Sequence, residues 1–149
     1  MLTGSDAVAA ILVLEDGRYV MQLRDDKPDI WYPSHWGCFG GAVDAGETPE
    51  QALARELQEE IEFAPRDAEY FTRFDFDMSR LGLKTYYRIY YLVRISQREF
   101  EKLKIHEGRE VKAFPGEDLL RGERVTPYDA FALRLHLDRR RIGAGWGAG

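Results

Sequence analysis

Residues 41–63 read GAVDAGETPEQALARELQEEIEF, and this stretch decides which fold we expect. A glycine-rich segment leads directly into the clearest helix of the sequence, which we place at residues 48–61. Thr48 can act as the N-cap, Pro49 occupies the first helical position, and Gln51 completes a capping box. The sequence therefore predicts a well-defined helix immediately after a glycine-rich turn.

The predicted helix has an apolar stripe and an acidic face beside it. At about 100° per residue, Leu53, Leu57 and Ile61 share one stripe, which we expect to face the core. The adjoining arc carries three carboxylates: Glu56, Glu59 and Glu60. Like charges at this spacing repel one another, and a hard divalent cation bound by their oxygens would offset the repulsion. The alternative is a solvated acidic face without a function, because glutamate is common on helices.

Composition limits the classes of protein that need to be considered. The chain has 149 residues, of which 44% are hydrophobic, so it is long enough for one compact domain. A net charge of −5 argues against a surface for a nucleic acid polymer. The single cysteine, Cys38, excludes an intrachain disulfide and fits a cytoplasmic location. No apolar run is long enough to cross a membrane, and we read no signal peptide.

The rest of the chain alternates between strand and helix patterns. We predict strands at residues 8–14, 18–23, 74–78, 85–95 and 111–114, a short strand running into a loop within residues 35–43, and a terminal helix at 127–139. In that terminal helix Tyr128, Phe131 and Leu135 stand at helical spacing. The class is therefore α/β or α+β with a mixed sheet. We expect one domain over residues 1–142 and a flexible glycine-rich tail over 143–149.

The stretch at 41–63 resembles the signature box of the Nudix hydrolases. The resemblance rests on Gly41, on Glu47, on the run Arg55-Glu56-Leu57-x-Glu59-Glu60 and on Phe63, all at the family's spacing. It implies an α/β fold, namely a Nudix-type α/β/α sandwich with a mixed β-sheet. It also implies a hydrolase acting on phosphorus-containing acid anhydrides, with Mg²⁺ as cofactor and Mn²⁺ as the alternative.

The resemblance also assigns roles to particular residues. Glu56, Glu59 and Glu60 would be metal ligands, one of which could instead serve as the base. The backbone carbonyl of Gly40, or of its neighbour Gly41, would be a further ligand. Arg55 and Glu47 would form a salt bridge that orients the carboxylates.

Two further site residues are expected outside the box. The family often adds a carboxylate from a later loop, for which Glu107 is our candidate and Glu110 the second choice; a solvated loop is the alternative. Arg24 ends a predicted strand where the family often has a phosphate-binding arginine, although an exposed strand-end arginine would look the same.

The expected substrate is a small nucleoside diphosphate derivative, such as a nucleotide sugar, an ADP-ribose-like compound or a modified nucleotide. A homodimer would fit the family. Two alternatives stay open: a non-catalytic nucleotide-binding module, and an isoprenoid diphosphate isomerase, in which Cys38 would act. We favour a packed thiol for Cys38, because the hydrolase box is intact.

One residue departs from the family pattern. Glu62 stands where the box usually has a glycine, which ends the helix in a left-handed conformation. A glutamate there would cost about 1 kcal/mol. The other interpretation is that the helix end is built differently in this chain.

Overall fold

A mixed β-sheet forms the centre of the molecule in the computed structural model, which describes residues 2–143. The strands are β1 (Ala7–Val13), β2 (Tyr19–Leu23), β3 (Trp36–Gly37), β4 (Phe39–Ala42), β5 (Glu69–Asp77), β6 (Thr85–Arg94) and β7 (Glu110–Phe114). The main path runs β3-β2-β1-β6-β5, with β4 paired to β1 and β7 paired to β2. Only the pairing of β1 with β6 is parallel among these strands, so the sheet is mixed as predicted.

Helices cover both faces of the sheet. They are α1 (Pro49–Ile61), α2 (Gln97–Glu101), α3 (Gly116–Gly122), α4 (Pro127–Leu137) and α5 (Arg139–Ile142), with a short 3-10 helix at Ser79–Leu81. Helix α1 packs on one face through Leu53, Leu57 and Ile61, and α3 and α4 pack on the other face. This is the predicted α/β/α arrangement.

Strand β1 lies where the two cores meet. Its side chains alternate between them: Val8, Ala10 and Leu12 face α1, whereas Ala9 and Ile11 face α4. Burial on both faces explains why this segment is continuously apolar rather than alternating. The pairing of β1 with both β4 and β6 brings the glycine-rich strand beside the centre of the sheet.

Several boundaries differ from those predicted. In place of the one short strand expected within residues 35–43 there are two, β3 and β4, separated by Cys38. Helix α3 was not predicted, because glycines at both of its ends weaken the helical signal. One of them, Gly116, is needed for packing, since a Cβ there would lie 2.7 Å from the Tyr19 ring.

The apolar spacing that we noted in the terminal helix does not mark its buried face. Phe131 is 57% exposed, and α4 instead buries Asp129, Ala132, Leu133 and His136. Two polar side chains therefore occupy core positions that a hydrophobic pattern overlooks.

No helix within residues 2–143 combines the length and the apolar character needed to cross a bilayer. Of the tail predicted at 143–149, residues 144–149 lie outside the described residues.

Candidate active site

The candidate site begins with the well-capped start of α1. The Thr48 hydroxyl accepts a hydrogen bond from the Gln51 amide at 3.2 Å, and the Gln51 side chain accepts one from the Thr48 amide at 3.0 Å. This is the capping box predicted from the sequence, with Pro49 at the first helical position. It fixes where the helix begins, and therefore which way each later side chain points.

Burial of the three helix carboxylates follows their angle from the apolar stripe. Glu60, Glu56 and Glu59 lie about 20°, 60° and 120° from Leu53 around the helix. Glu60 is 3% exposed, whereas the side chains of Glu56 and Glu59 are 14% and 60% exposed. The three do not form one equal cluster: Glu60 and Glu56 are inside, and Glu59 lies at the rim.

Strand β4 approaches α1 closely because it has no side chains at two positions. A Cβ on Gly41 would lie 2.6 Å from the Glu56 carboxylate. A Cβ on Gly40 would lie 2.0 Å from the Val8 carbonyl oxygen, and the φ of Gly40 is +142°. A side chain at residue 41 would therefore push β4 away from Glu56, and one at residue 40 would push it away from β1.

Glu60 lies in the least solvated part of the site. Its carboxylate accepts one hydrogen bond, from the Gly40 amide at 3.2 Å. Burial raises the pKa of Glu60 to about 9, with further contributions from the nearby charges of Glu107 and Glu56. Burial also raises the pKa of Glu56, against the opposing effect of Arg55.

Arg55 connects the helix carboxylates to the turn that precedes the helix. Its guanidinium donates to both oxygens of Glu47, at 2.7 and 3.0 Å, and to the Ala42 carbonyl at 3.0 Å. Its Nη1 atom also lies 3.0 Å from Glu56 and 3.2 Å from Glu59. The hydrogen bond from Arg55 lowers the pKa of Glu47, so this pair stays ionised.

Glu107 reaches the same site from the loop between α2 and β7. Its charge raises the pKa values of both Glu56 and Glu60, and its backbone carbonyl accepts a hydrogen bond from the Gln22 side chain at 2.8 Å. The second candidate, Glu110, begins strand β7 opposite Leu23 and is exposed. Glu107 is exposed as well, but of these two loop carboxylates it is the one whose charge acts on Glu56 and Glu60. Its role as a ligand stays a prediction.

A small open cavity of about 70 Å³ adjoins Glu107. Its other lining residues are Gln22, Arg24, Asp25, Lys27, Ile30 and Gly108. Arg24 is held by a 2.9 Å hydrogen bond from its Nε atom to the Trp31 carbonyl. The cavity thus has two cationic side chains, Arg24 and Lys27, and two acidic ones, Asp25 and Glu107, with Lys27 lying 3.6 Å from Asp25.

The donor set suits a hard divalent cation. The side chains of Glu56, Glu60 and Glu107 offer only oxygen; Glu56 and Glu60 are partly desolvated, and the charge of the exposed Glu107 acts on both. Within residues 2–143, however, no three His, Cys, Asp or Glu side chains are already close enough to hold an ion.

Glu62 keeps the backbone conformation that the family gives to glycine. It ends α1 at φ 51° and ψ 47°, in the left-handed region, and its amide donates to the carbonyls of Gln58 and Leu57. Its side chain forms a hydrogen bond with Nε2 of His106. The helix therefore ends as it would with a glycine, and the glutamate adopts the left-handed conformation; the end of the helix is not built differently.

A buried polar network on the opposite face was missed by the sequence analysis. Asp129 accepts hydrogen bonds from Tyr90 and Thr126, each at 2.6 Å, from the Cys38 amide at 3.0 Å, and from Arg88 at 3.1 Å. Arg88, within a strand rich in apolar residues, is the sequence feature that could have indicated this network. The Cys38 thiol is 5% exposed, and burial raises its pKa well above the usual value, which agrees with a packed thiol.

Comparison with known proteins identifies the family. The family model described as NUDIX domain matches residues 5–135. The chain belongs to the Nudix family. The family and the α/β fold predicted from the sequence are thus confirmed.

Relatives of this Nudix chain are named as hydrolases of phosphate anhydrides. The 8-oxo-dGTP diphosphatase of Haemophilus influenzae is 63% identical over 38 residues, or 26% of this chain and 28% of the relative. An RNA pyrophosphohydrolase of Gluconacetobacter diazotrophicus is 42% identical over 57 residues, covering 36% of this chain and 34% of the relative. The chain thus matches only about a third of the length of these curated relatives.

Solved structures share the fold over most of the chain. The MutT protein of Methanosarcina mazei has a TM-score of 0.75 at 20% identity and covers 93% of this chain and 95% of its own. The NUDIX domain of Shewanella oneidensis NrtR, crystallised with ADP ribose, has a TM-score of 0.72 at 20% identity and covers 93% and 90%.

Proposed function

We propose that the protein is a Mg²⁺-dependent pyrophosphohydrolase that cleaves the diphosphate linkage of a nucleoside diphosphate derivative. The observation that carries the proposal is the almost complete burial of the Glu60 carboxylate beside the Gly40 amide, with Glu56 and Glu107 near it. An isolated acidic face would be solvated instead. Burial and neighbouring acidic groups raise the pKa of Glu60, and a bound cation would offset the cost of ionising it there.

The residues divide into those that hold the cation and those that orient them. Glu56 and Glu60, with the Gly40 carbonyl, would hold Mg²⁺ or Mn²⁺, and Glu59 would join them from the rim. The cation would neutralise phosphate charge and make a water molecule more acidic. Arg55, fixed by Glu47, would keep Glu56 and Glu59 in place.

The substrate class follows from the cavity and from the named relatives. Arg24 and Lys27 would bind phosphate oxygens in the cavity that Glu107 also lines. The diphosphatase and pyrophosphohydrolase names of two relatives, together with the ADP ribose bound by a structural neighbour, support a nucleoside diphosphate derivative. Which derivative is cleaved depends on loops outside the box. A homodimer and a cytoplasmic location stay predictions.

The test is a hydrolysis panel with Mg²⁺, using nucleotide sugars, ADP-ribose, dinucleoside polyphosphates and oxidised dNTPs. We expect turnover of at least one compound, and a loss of about 100-fold or more in Glu60→Gln, because that residue would hold the cation. Glu117→Gln is the matched control, since Glu117 forms an exposed ion pair with Arg134 on α4, away from the carboxylates. Turnover that is unaffected by Glu60→Gln would refute the proposal.

A non-catalytic nucleotide-binding module is the alternative to a hydrolase. Calorimetry distinguishes the two, because a binding module would bind ADP-ribose tightly without releasing any product. The isomerase alternative loses its basis, since the Cys38 thiol packs in the α4 core, on the opposite face from α1.

A further inference from the structure

Glu62 occupies a strained backbone conformation, and its side chain makes a contact that glycine could not make. A non-glycine residue in the left-handed region is energetically unfavourable. Glu62 nevertheless lies there and hydrogen-bonds Nε2 of His106, 44 residues further along the chain. An unfavourable residue that makes a specific long-range contact suggests a role beyond ending the helix.

The contact lies at one of two attachments of the loop that carries Glu107. On the helix side, the amides of Lys104 and His106 donate to the Ile61 and Glu60 carbonyls at 3.2 and 2.9 Å. These bonds satisfy carbonyls that the end of α1 would otherwise leave free. The Glu62 side chain adds a third bond to this attachment.

On the other side the loop is attached to strand β2. The Gln22 side chain donates to the Glu107 carbonyl at 2.8 Å, and the Arg109 amide donates to the Leu23 carbonyl at 2.9 Å. Gly108, at φ +83°, allows the chain to pass close to Gln22. Glu107 is thus the residue between an attachment to the carboxylate helix and an attachment to the cavity wall.

We propose that Glu62 is a positioning residue: through His106 it holds the Glu107 loop in register with the carboxylates of α1. The inference rests on the proposed function, in which Glu107 acts together with Glu56 and Glu60. Glu62 touches neither substrate nor reacting atoms, so its effect on turnover passes through the placement of Glu107.

The Glu62→Gly variant tests the positioning role, because glycine adopts the left-handed conformation without strain and the substitution removes the side-chain contact with His106. Relief of strain and loss of the contact oppose each other, so we expect a melting temperature within about 3 °C of the wild type. We expect kcat to fall about three- to tenfold, with KM unchanged within about twofold. Glu62→Gln keeps an oxygen that can accept a hydrogen bond from His106, and it should retain most of the activity.

A double-mutant cycle separates positioning from a general surface effect. His106→Ala should lower kcat as much as Glu62→Gly, and the double variant should be no slower than either single variant. Glu117→Gln, which breaks a comparably exposed ion pair elsewhere, should leave kcat unchanged. A Glu62→Gly variant with kcat within twofold of the wild type, or effects that multiply in the double variant, would overturn the inference.

Hydrogen–deuterium exchange gives a readout that needs neither metal nor substrate. In Glu62→Gly without metal, peptides covering residues 102–109 should exchange faster than in the wild type, and peptides from β1 should not change. Unchanged exchange in the loop would overturn the positioning role. If the wild type hydrolyses no compound, the proposed function fails, and the exchange result still decides whether Glu62 orders the loop.

Discussion

Replacing Glu60 by glutamine should stabilise the metal-free protein while abolishing its activity. The folded carboxyl has a pKa of about 9, against an ordinary value of 4.5. Between these two values the folded protein keeps a proton that the unfolded chain has lost. Stability therefore falls as the pH rises through this range, because the folded state binds more protons than the unfolded state.

The size of the effect follows from the same two values. A pH of 7.5 lies about 3 units above the pKa of glutamate in the unfolded chain. Each unit lowers the free energy of unfolding by about 1.36 kcal/mol, as long as the folded carboxyl stays protonated. The upper limit is thus about 4 kcal/mol, which water entry and movement of the side chain would reduce to roughly 2 kcal/mol. Glutamine has nearly the same shape as a protonated glutamate but cannot ionise, so the variant avoids this loss.

Urea unfolding in EDTA at pH 4.5 and pH 7.5 measures the difference. We expect Glu60→Gln and the wild type to have similar free energies of unfolding at pH 4.5, and the variant to be more stable at pH 7.5. Glu59→Gln is the matched control, because Glu59 is largely exposed and should show no such gain. A Glu60→Gln variant that is equally or less stable than the wild type at pH 7.5 would refute the reasoning.

Three further predictions concern the cation, the buried network and the orienting arginine. Mg²⁺ binding at pH 7.5 should release about one proton, because Glu60 must ionise to bind the cation. Calorimetry in buffers of different ionisation enthalpy measures this release, and binding without any release would contradict the placement of the cation. Asp129→Ala should destabilise the protein by about 3 kcal/mol, because it leaves the partly buried Arg88 charge unpaired. Urea unfolding measures the loss, and a value below about 1 kcal/mol would contradict this prediction. Arg55→Lys should lower kcat about 10- to 100-fold with little change in unfolding free energy, because lysine cannot bind both Glu47 oxygens at once, and near-normal kinetics would argue against an orienting role.

The start of α1 could be predicted from the sequence because its signals are local. Thr48, Pro49 and Gln51 are neighbours in the chain, and the capping box depends only on their order. The apolar stripe is similarly local, since Leu53 and Leu57 are four residues apart. The order of burial of the three carboxylates also follows from helical periodicity, through their angles from Leu53, although we treat them as one face when reading the sequence.

Contacts between distant segments could not be predicted in this way. Nothing near Glu62 shows that His106 lies beside it, because the loop returns to the helix only after two strands, a 3-10 helix and the short helix α2. The same holds for Arg88 and Asp129, which are 41 residues apart. Polar residues that are buried together are recognised only once the packing is known, since their pattern resembles that of exposed residues.

The short chain segment from Cys38 to Gly40 joins two parts of the protein that lie on opposite faces of the sheet. The Cys38 amide donates a hydrogen bond to Asp129 of α4, and the Gly40 amide donates one to Glu60 of α1. Detachment of α4 on warming would therefore be transmitted to the carboxylates through two peptide units. We therefore expect the arrangement of the carboxylates to be lost when α4 detaches, below the temperature at which the sheet itself comes apart; amide exchange of Gly40 against temperature would measure this.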